Sequence, residues 1–325
     1  MSGSSPRVSV VVPNYNYARF LPQRMESILE QTYTDLEVIL LDDASMDDSR
    51  EVVERYAGDR RVRIRINKQN SGSPFAQWNR GVSMARGEFV WIAEADDFVE
   101  TKFLEHLVPL LEKDPRLGLA YCQSRVVDET GMEIEAFPPY LERLWPGRWR
   151  QSFRNNGRDE VARYLLNRCT IPNASAVLFR RRAFQEAGGA DESMKLCGDW
   201  LTYVRILEKW DLAYSPLPLN AFRCHDAMVR SVMSGNPREI EERYLVLEAA
   251  LSKSKVSKRD RRRALESRMY LWVDLAEKHG WEFGHYAMAG IRCAAARVDP
   301  AYVLRFARKR KTYRLRRLLA KGRKS

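Results

Sequence analysis

The sequence lacks the paired cysteines that would build a disulfide framework or a zinc site. Its five cysteines lie far apart, their number is odd, and no CxxC spacing occurs. Scattered single cysteines are typical of proteins that stay in a reducing compartment. The cysteine pattern therefore favours a cytoplasmic location.

Long apolar runs are also absent. Residues 1–7, MSGSSPR, have no apolar core of the kind that a signal peptide carries. No apolar run approaches the ~20 residues needed to span a bilayer. Because 45% of the 325 residues are hydrophobic, the chain can still bury a substantial core. We therefore expect a soluble protein, or one attached to a membrane surface.

Two common nucleotide-binding motifs are missing. Neither GxGxxG nor GxxxxGK follows the first apolar run, where VVVPNYNY stands instead. Their absence disfavours a dinucleotide oxidoreductase and a P-loop NTPase. A serine nucleophile elbow is absent as well.

The positive charge is concentrated at one end of the chain. The net charge is +12, and residues 301–325 contain eleven Lys and Arg and no acid. The other residues contain 44 basic and 43 acidic side chains, which argues against a broad nucleic-acid footprint on the body. Leucine and phenylalanine interleave with the basic residues of this tail, a pattern that favours an anionic membrane surface as its partner. Nucleic-acid binding and a merely solvated helix are the alternatives.

The first hundred residues alternate between strand-like and helix-like segments. Apolar, often β-branched runs predict strands, and apolar residues three or four apart predict helices. Ser73 and Pro74 predict the start of one helix, and Gly87 predicts its end. The alternation indicates an α/β domain with a parallel, doubly wound sheet that binds ligands at the carboxyl ends of its strands. The predicted strands cover residues 7–13, 37–41, 61–66 and 89–93, with helices at 21–29, 49–56, 74–86 and 101–112.

The pattern changes after residue 116. A strand predicted at residues 117–127 belongs to a hairpin, and the Pro- and Trp-rich residues 137–156 predict a long irregular loop of the kind that commonly serves as a lid or binding loop. A helix opens at Gly198, after a strand predicted at 175–181 and before two strands predicted at 212–219 and 222–225. From about residue 236 the chain becomes helical and charged. We therefore divide it into a main domain, residues 1–232, and a helical region, residues 233–325, which ends in the basic tail of residues 301–325.

An acidic cluster ends the fourth predicted strand. The run FVWIAEADDF carries Glu94, Asp96 and Asp97 directly after its apolar residues. Carboxylates this close repel one another unless a hard cation, a sugar hydroxyl or water satisfies them, and Mg²⁺ or Mn²⁺ with substrate phosphates is a common solution. A solvated acidic loop is the alternative. Asp43 ends the second strand and is expected at the same edge of the sheet.

Three segments together resemble one known family. They are RVSVVVPNYNYARFL, ILEQTYTDLEVILLDDASMDDS and NRGVSMARGEFVWIAEADD, followed later by GDW and FRCH. In this order and spacing they resemble an inverting family 2 glycosyltransferase of the GT-A fold. The resemblance implies a Rossmann-like, mostly parallel sheet with helices on both faces, here followed by a helical extension.

The resemblance assigns roles on the nucleotide side. Asp43 is implied to bind a ring N–H of uracil, thymine or guanine, although it could instead form a turn. Pro13 and Tyr15 are implied to hold the base, although Tyr15 could be a core residue. Asn70 is implied to lie beside the donor, with a polar cap as its alternative role.

The resemblance also assigns the metal and diphosphate side. Asp97 is implied to coordinate Mn²⁺ or Mg²⁺, and Asp96 to contact the ribose or the metal. Glu94 departs from the commoner aspartate, so its role stays open. His225 is implied to contact the pyrophosphate or the metal, with a structural histidine as the alternative. Weaker candidates for the diphosphate are Arg223 and Arg230.

Asp199 is the expected general base. A sugar hydroxyl is a poor nucleophile, and an inverting displacement needs a carboxylate on the face opposite the leaving phosphate. An aspartate that begins a helix is also an ordinary cap, and the helix dipole there would lower its pKa and weaken it as a base. Its place in the family motif favours the catalytic role.

The sequence thus predicts a metal-dependent, inverting transfer of a sugar from a nucleoside diphosphate donor, expected to be a UDP-sugar. The expected acceptor is a hydroxyl of a glycan or of a lipid-linked saccharide, and the expected product by family analogy is a bacterial surface polysaccharide. The alternative is a relative that binds nucleotide-sugars without catalysis. Specific recognition of nucleic acid is not expected.

Overall fold

The structure is a computed structural model, and it describes residues 5–136, 139–226 and 235–321. Strands and helices alternate over the first half of the chain, as the sequence pattern predicts. The strands are β1 (Val8–Asn14), β2 (Leu36–Asp42), β3 (Val62–Ile66), β4 (Phe89–Ile92), β5 (Phe98–Val99), β6 (Leu117–Val127), β7 (Glu133–Ala136), β8 (Phe153–Asn155), β9 (Val177–Arg180) and β10 (Asp211–Arg223). The helices of this part are α1 (Leu21–Leu29), α2 (Ser49–Glu54), α3 (Pro74–Met84), α4 (Phe103–Lys113), α5 (Pro139–Leu144), α6 (Gly157–Glu160), α7 (Arg181–Glu186) and α8 (Gly198–Leu207).

The strands form one mixed sheet in the order β3-β2-β1-β4-β9-β6-β10-β5, with β7 beside β6 and β8 beside β10. Strands β1, β2, β3 and β4 are parallel, as predicted. The sheet is mixed and mostly parallel, as the family resemblance implies, and β9 is the exception at its centre because it runs antiparallel to both of its neighbours. β9 therefore begins at the edge where β4 ends, which brings the residues before β9 to the acidic cluster.

Strands β1, β2 and β4 are buried along their whole length, since helices cover both faces of the sheet. One hydrophobic cluster packs α1, α2 and α4 against one face. A second cluster covers the other face and continues into the C-terminal helices. The nearly continuous apolar runs of these strands are explained by this two-sided burial.

Gly87 does not end its helix, contrary to the prediction. Helix α3 starts at Pro74 as expected but ends at Met84. A Cβ atom on Gly87 would lie 2.7 Å from the backbone nitrogen of Ser9 and 2.9 Å from the carbonyl carbon of Val8. Glycine is therefore required there because the chain passes directly against β1.

Two other segments differ from their predictions. The irregular loop expected at residues 137–156 contains α5, a 3₁₀ turn at Arg148–Arg150 and strand β8, while residues 137 and 138 lie outside the described part. Trp149 is buried there and donates its indole N–H to the hydroxyl of Tyr121 over 3.1 Å. The two strands expected at residues 212–225 form the single strand β10, whose register shifts near Pro218. Proline cannot donate to the ladder, which explains the irregularity.

The described residues of the C-terminal region contain four α-helices: α9 (Pro237–Lys253), α10 (Lys258–His279), α11 (Ala289–Val298) and α12 (Tyr302–Lys321). The basic tail thus forms one helix over its described residues. Trp272 of α10 packs on Phe306 of α12 with ring centroids 5.0 Å apart. The predicted domain boundary at residue 232 lies outside the described residues. None of the helices described is long and apolar enough to span a bilayer.

Candidate active site

A pocket of about 430 Å³ opens at the carboxyl ends of β1, β2 and β4. Its volume suits a small-molecule ligand. The crevice beyond the strand ends is the place that this kind of sheet offers to ligands. The pocket lining includes the sequence-predicted site residues Pro13, Tyr15, Asp43, Asn70, Glu94, Asp96, Asp97 and Asp199.

The neighbouring acids Asp42 and Asp43 have different surroundings. The carboxylate of Asp42 accepts hydrogen bonds from the side chains of Asn14 and Ser45, at 2.7 and 2.6 Å, and so ties the β1 and β2 loops together. Asp43 lies in the pocket lining and is 4% exposed. Asp42 thus stabilises the turn, whereas Asp43 is part of the pocket.

The carboxylate of Asp43 is held from three sides. Asn67 donates its amide to Oδ1 over 2.6 Å, and Gln77 donates to the same oxygen over 2.9 Å. The hydroxyl of Ser71 donates to Oδ2 over 2.7 Å. These bonds fix the orientation of Asp43 against the loop that contains Asn70.

Glu94 has a specific partner on helix α3. Its Oε1 accepts the indole N–H of Trp78 over 2.7 Å. Burial, with a further contribution from Asp96, raises the pKa of Glu94 to about 8, although the hydrogen bond from Trp78 opposes the shift. The extra reach of a glutamate side chain is used to make this contact.

Asp97 is the most enclosed of the three acids, with 2% of its surface exposed. Its Oδ2 accepts from Ser175 Oγ at 2.6 Å and from Asn173 Nδ2 at 3.0 Å, and its Oδ1 accepts the backbone N–H of Arg223 at 2.9 Å. Burial and the neighbouring Asp96 raise the pKa of Asp97 to about 6, while the positive charge of Arg24 opposes this rise. The acid is therefore fixed in position before any ligand binds.

Asp96 connects the pocket to His225. The Nε2 atom of His225 lies 3.1 Å from Oδ2 of Asp96, and its ring packs on Phe20 with centroids 4.8 Å apart. The imidazole is enclosed by protein. His225 thus reaches the acidic cluster through the carboxylate of Asp96.

The guanidinium of Arg223 is directed at backbone oxygens. Its Nε donates to the carbonyl of Asp96 over 2.7 Å, and Nη1 donates to the carbonyl of Glu129 over 2.8 Å. With 1% of its surface exposed, the side chain braces the acidic loop against the β6–β7 turn. Arg230, the other predicted diphosphate contact, lies outside the described residues.

Arg24 is a site residue that the sequence reasoning missed. It is fully buried, donates from Nε to the carbonyl of Glu94 over 2.8 Å, and lies over the ring of Trp91. Burial lowers the pKa of its guanidinium to about 10, so it stays charged at neutral pH. A signal was present in the sequence, since Arg24 falls on the apolar face of α1 beside Leu21 and Met25.

Asn173 and Ser175 were missed for a different reason. Their contact with Asp97 depends on the antiparallel direction of β9, which no local pattern in the sequence indicates. Trp78 was missed because a tryptophan on an amphipathic helix ordinarily indicates packing alone. Asn173 and Ser175 reach the acidic cluster from a segment far away in the chain, and Trp78 reaches it from the helix that precedes β4.

Asp199 lies in the first turn of α8, on the wall of the pocket formed by residues 172–174 and 195–199. One of its oxygens accepts the backbone N–H of Trp200 over 2.6 Å. The neighbouring Gly198 packs so closely on α3 that a Cβ atom would lie 2.4 Å from the ring of Phe75. The position of Asp199 is therefore set by close packing between two helices.

No group of three or more His, Cys, Asp and Glu side chains suited to hold a metal ion occurs among the described residues. Asp96 and Asp97 nevertheless supply hard carboxylate oxygens side by side in the pocket lining. Nucleotide-dependent Mg²⁺ sites commonly use one or two carboxylates and complete the coordination with phosphates and water. The donor set fits Mn²⁺ or Mg²⁺ bound together with a diphosphate.

Two solved structures share the GT-A-like overall fold of this chain. The structure of S. aureus TarS residues 1 to 349 in complex with UDP-GlcNAc matches with a TM-score of 0.67 and 14% identity, over 95% of this chain and 92% of that one. Mannosyltransferase PcManGT from Pyrobaculum calidifontis, solved with GDP-Man and Mn²⁺, matches with a TM-score of 0.58 and 19% identity, over 94% of this chain and 87% of that one. At these identities the likeness concerns the fold.

Sequence comparison places the chain in a family. Residues 9–188 match the family model for glycosyl transferase family 2, and the chain belongs to that family. It is 40% identical over 112 residues to glycosyltransferase GlyG of Streptococcus pneumoniae, and the aligned residues cover 34% of this chain and 37% of that protein. It is 37% identical over 127 residues to a chondroitin synthase of Escherichia coli, and the aligned residues cover 39% of this chain and 18% of that protein. The chain thus spans well under half the length of these relatives.

Proposed function

We propose that this protein transfers a sugar from a nucleoside diphosphate donor to a hydroxyl group, with inversion at the sugar carbon. One observation carries the proposal: a single pocket is lined by Asp43, by Asp96 and Asp97, and by Asp199 on its other wall. Base recognition, binding of the diphosphate through a metal ion, and proton abstraction would each use carboxylates at a separate place in the pocket. Family membership and the UDP-GlcNAc complex of a protein with the same fold support this assignment.

Donor binding would use the β1 and β2 loops. Asp43, held rigid by its hydrogen bonds to Asn67 and Gln77, would accept a ring N–H from the base. Pro13 and Tyr15 would pack on the base, because both line the same part of the pocket. Uracil, thymine and guanine each present such an N–H, and the sequence resemblance favours a UDP-sugar.

In the chemical step, the oxygen of the acceptor hydroxyl would attack the anomeric carbon of the donor sugar. Asp199 would accept the proton of that hydroxyl as the new bond forms. The bond from that carbon to the diphosphate oxygen breaks, and the electron pair leaves with the nucleoside diphosphate. Asp96 and Asp97 would hold Mn²⁺ or Mg²⁺, which neutralises charge on the departing diphosphate. His225 would orient the carboxylate of Asp96 through its 3.1 Å contact.

The first experiment measures thermal stabilisation by UDP, dTDP and GDP, each with and without Mn²⁺. A sugar-transfer and donor-hydrolysis assay follows with the corresponding nucleotide-sugars. The proposal expects metal-enhanced stabilisation by one nucleotide and turnover of its sugar. Metal-enhanced binding without transfer or hydrolysis across a broad donor panel would support the alternative, a relative that only binds nucleotide-sugars.

The acceptor is proposed to be a glycan or a lipid-linked saccharide in bacterial surface polysaccharide synthesis. Helix α12 supports a location at an anionic membrane. Three leucines point away from the body, with exposed fractions of 75% for Leu304, 57% for Leu315 and 62% for Leu319. Phe306, in contrast, is buried against α10. Outward leucines among basic residues suit insertion at the headgroup level.

Flotation with liposomes tests this part of the proposal. The protein should float with vesicles that contain anionic phosphatidylglycerol at low salt, and binding should decrease as salt is added. Vesicles of phosphatidylcholine alone serve as the control. Failure to bind anionic vesicles at low salt would overturn the membrane location without affecting the proposed chemistry.

A further inference from the structure

A buried acid of the C-terminal region holds the segment that leads to Asp199. Glu242 of α9 is fully buried, and its carboxylate accepts three consecutive backbone N–H groups. Lys195 donates to Oε1 over 2.7 Å, while Leu196 and Cys197 donate to Oε2 over 2.8 and 2.9 Å. Helix α8, which begins with Gly198, has no side-chain cap of its own at Cys197. A carboxylate brought in from 45 residues away thus stabilises the entry to this helix.

A buried arginine of the same region holds a second segment. Arg268 of α10, 1% exposed, donates from Nη2 to the carbonyl of Leu166 over 2.6 Å and from Nη1 to that of Asn167 over 3.2 Å. These carbonyls follow the π-helical turn Val161–Leu165. Five residues beyond them the chain reaches the pocket with Pro172. Arg268 therefore fixes backbone carbonyl groups of one segment, whereas Glu242 fixes backbone N–H groups of the other.

Both segments end in the same wall of the pocket. We call this the acceptor wall and define it as Pro172, Asn173, Ala174, Lys195, Leu196 and Asp199, all of which line the pocket. The nucleotide-side residues Pro13, Tyr15 and Asp43 come from the β1 and β2 loops, which neither Glu242 nor Arg268 contacts through the bonds above. The two buried charges thus act on the acceptor wall, of which Asn173 also contacts Asp97.

We propose that Glu242 and Arg268 are positioning residues that fix the acceptor wall, so that the C-terminal helical region is a working part of the active site. The proposal rests on the proposed role of Asp199 as the base. Proton abstraction requires the carboxylate within hydrogen-bond reach of the attacking hydroxyl, and small displacements of a catalytic group cost rate steeply. A segment anchored by three charge-assisted hydrogen bonds supplies that precision.

The test uses the full chain with Glu242→Gln. The amide keeps the size of the side chain and one acceptor oxygen, but the NH₂ group that replaces the other oxygen cannot accept hydrogen bonds from the backbone N–H groups that face it. Glu248→Gln is the matched control, because Glu248 is on the same helix and pairs only at the surface with Arg297, at 2.7 Å. Arg268→Lys, which keeps the charge but loses the forked donor geometry, tests the second anchor.

Hydrogen–deuterium exchange gives a readout that needs no substrate. In Glu242→Gln we expect at least one of the amides 195–197 to exchange about tenfold faster or more, because the N–H group that faces the NH₂ loses a charge-assisted hydrogen bond. Amides of β1 and β2 should exchange as in the wild type, and so should amides 195–197 in Glu248→Gln. Unchanged exchange at 195–197, or a uniform increase over the whole chain, would overturn the proposal.

Kinetics give the second readout. We expect the kcat of Glu242→Gln to fall about tenfold or more, with the KM for the donor and the thermal shift by nucleotide and Mn²⁺ unchanged. A parallel loss of kcat and nucleotide affinity would show a general structural defect, and an unchanged kcat would show that the wall needs no anchor; either result overturns the proposal. A wild-type protein without transfer or hydrolysis would instead overturn the proposed function, while the exchange data would still decide whether Glu242 fixes the segment.

Discussion

Trp78 donates its indole N–H to the carboxylate of Glu94 over 2.7 Å, across the gap between helix α3 and the end of β4. The contact gives a physical reason for a glutamate at a position where the family resemblance implies an aspartate. A shorter side chain on the same backbone would withdraw from the indole. Glu94 therefore links the acidic cluster to the helix that also carries Gln77, the partner of Asp43.

We expect Glu94→Asp to destabilise the protein by about 1–3 kcal/mol, because the buried indole N–H loses its acceptor. Chemical denaturation measures the change in the free energy of unfolding. In a Trp78→Phe background the same Glu94→Asp substitution should cost much less, since no indole donor remains. Equal costs in both backgrounds would show that the contact does not stabilise the fold.

Ligand binding should depend on pH through Glu94 and Asp97. Their pKa values are raised to about 8 and about 6 in the folded protein, so the folded state holds protons that the unfolded chain releases at lower pH. Stability of the unliganded protein should therefore fall as pH rises through this window. Metal binding favours ionised carboxylates, so stabilisation by Mg²⁺ with nucleotide should increase over the same range.

Thermal unfolding between about pH 5 and pH 9, with and without Mg²⁺–nucleotide, measures both trends. Glu94→Gln removes the group with the higher pKa and should flatten the upper part of the unliganded profile. An unliganded profile that rises with pH across this window would contradict the assignment.

Asp199→Asn should lower kcat by about 10²–10⁴, the range that a general base contributes. Nucleotide binding in the presence of Mn²⁺ should stay as in the wild type, because Asp199 lies on the acceptor wall. Single-turnover sugar transfer and thermal shift measure the two quantities. Full turnover by Asp199→Asn would show that another group accepts the proton.

Gly87→Ala should destabilise the fold by about 1–3 kcal/mol or more, since the new Cβ would press on the backbone of β1. The matched control is Gly58→Ala, where no atom lies within 4 Å of the added Cβ. That control should stay within about 0.5 kcal/mol of the wild type. A well-tolerated Gly87→Ala would mean that the strand and the loop can separate at little cost.

Replacement of Leu304, Leu315 and Leu319 together by serine should reduce binding to anionic vesicles about tenfold or more, because burial of each leucine side chain contributes of the order of 1.5 kcal/mol. Tyr286→Ser is the control, since Tyr286 is 84% exposed but lies outside α12. Co-sedimentation at fixed salt measures the affinity. If the triple variant bound as tightly as the wild type, the positive charge of the helix would be the sole cause of attachment.

The local pattern of the sequence determined the order of the first strands and helices and the edge of the sheet where the acids collect. Hydrophobic periodicity is set by residues a few positions apart, so Asp43 and the acidic cluster could be assigned to strand ends without a structure. The family motifs then indicated Asp199. These features share one cause, which is that each is encoded within a short segment.

Only the tertiary structure decided how the site is held together. The antiparallel direction of β9 brings Asn173 and Ser175 to Asp97, the buried charge of Arg24 lies beneath the acids, and Glu242 reaches the entry of α8. Each of these contacts joins segments far apart in the chain. Its existence depends on strand direction and helix packing, which no periodicity within a single segment can specify.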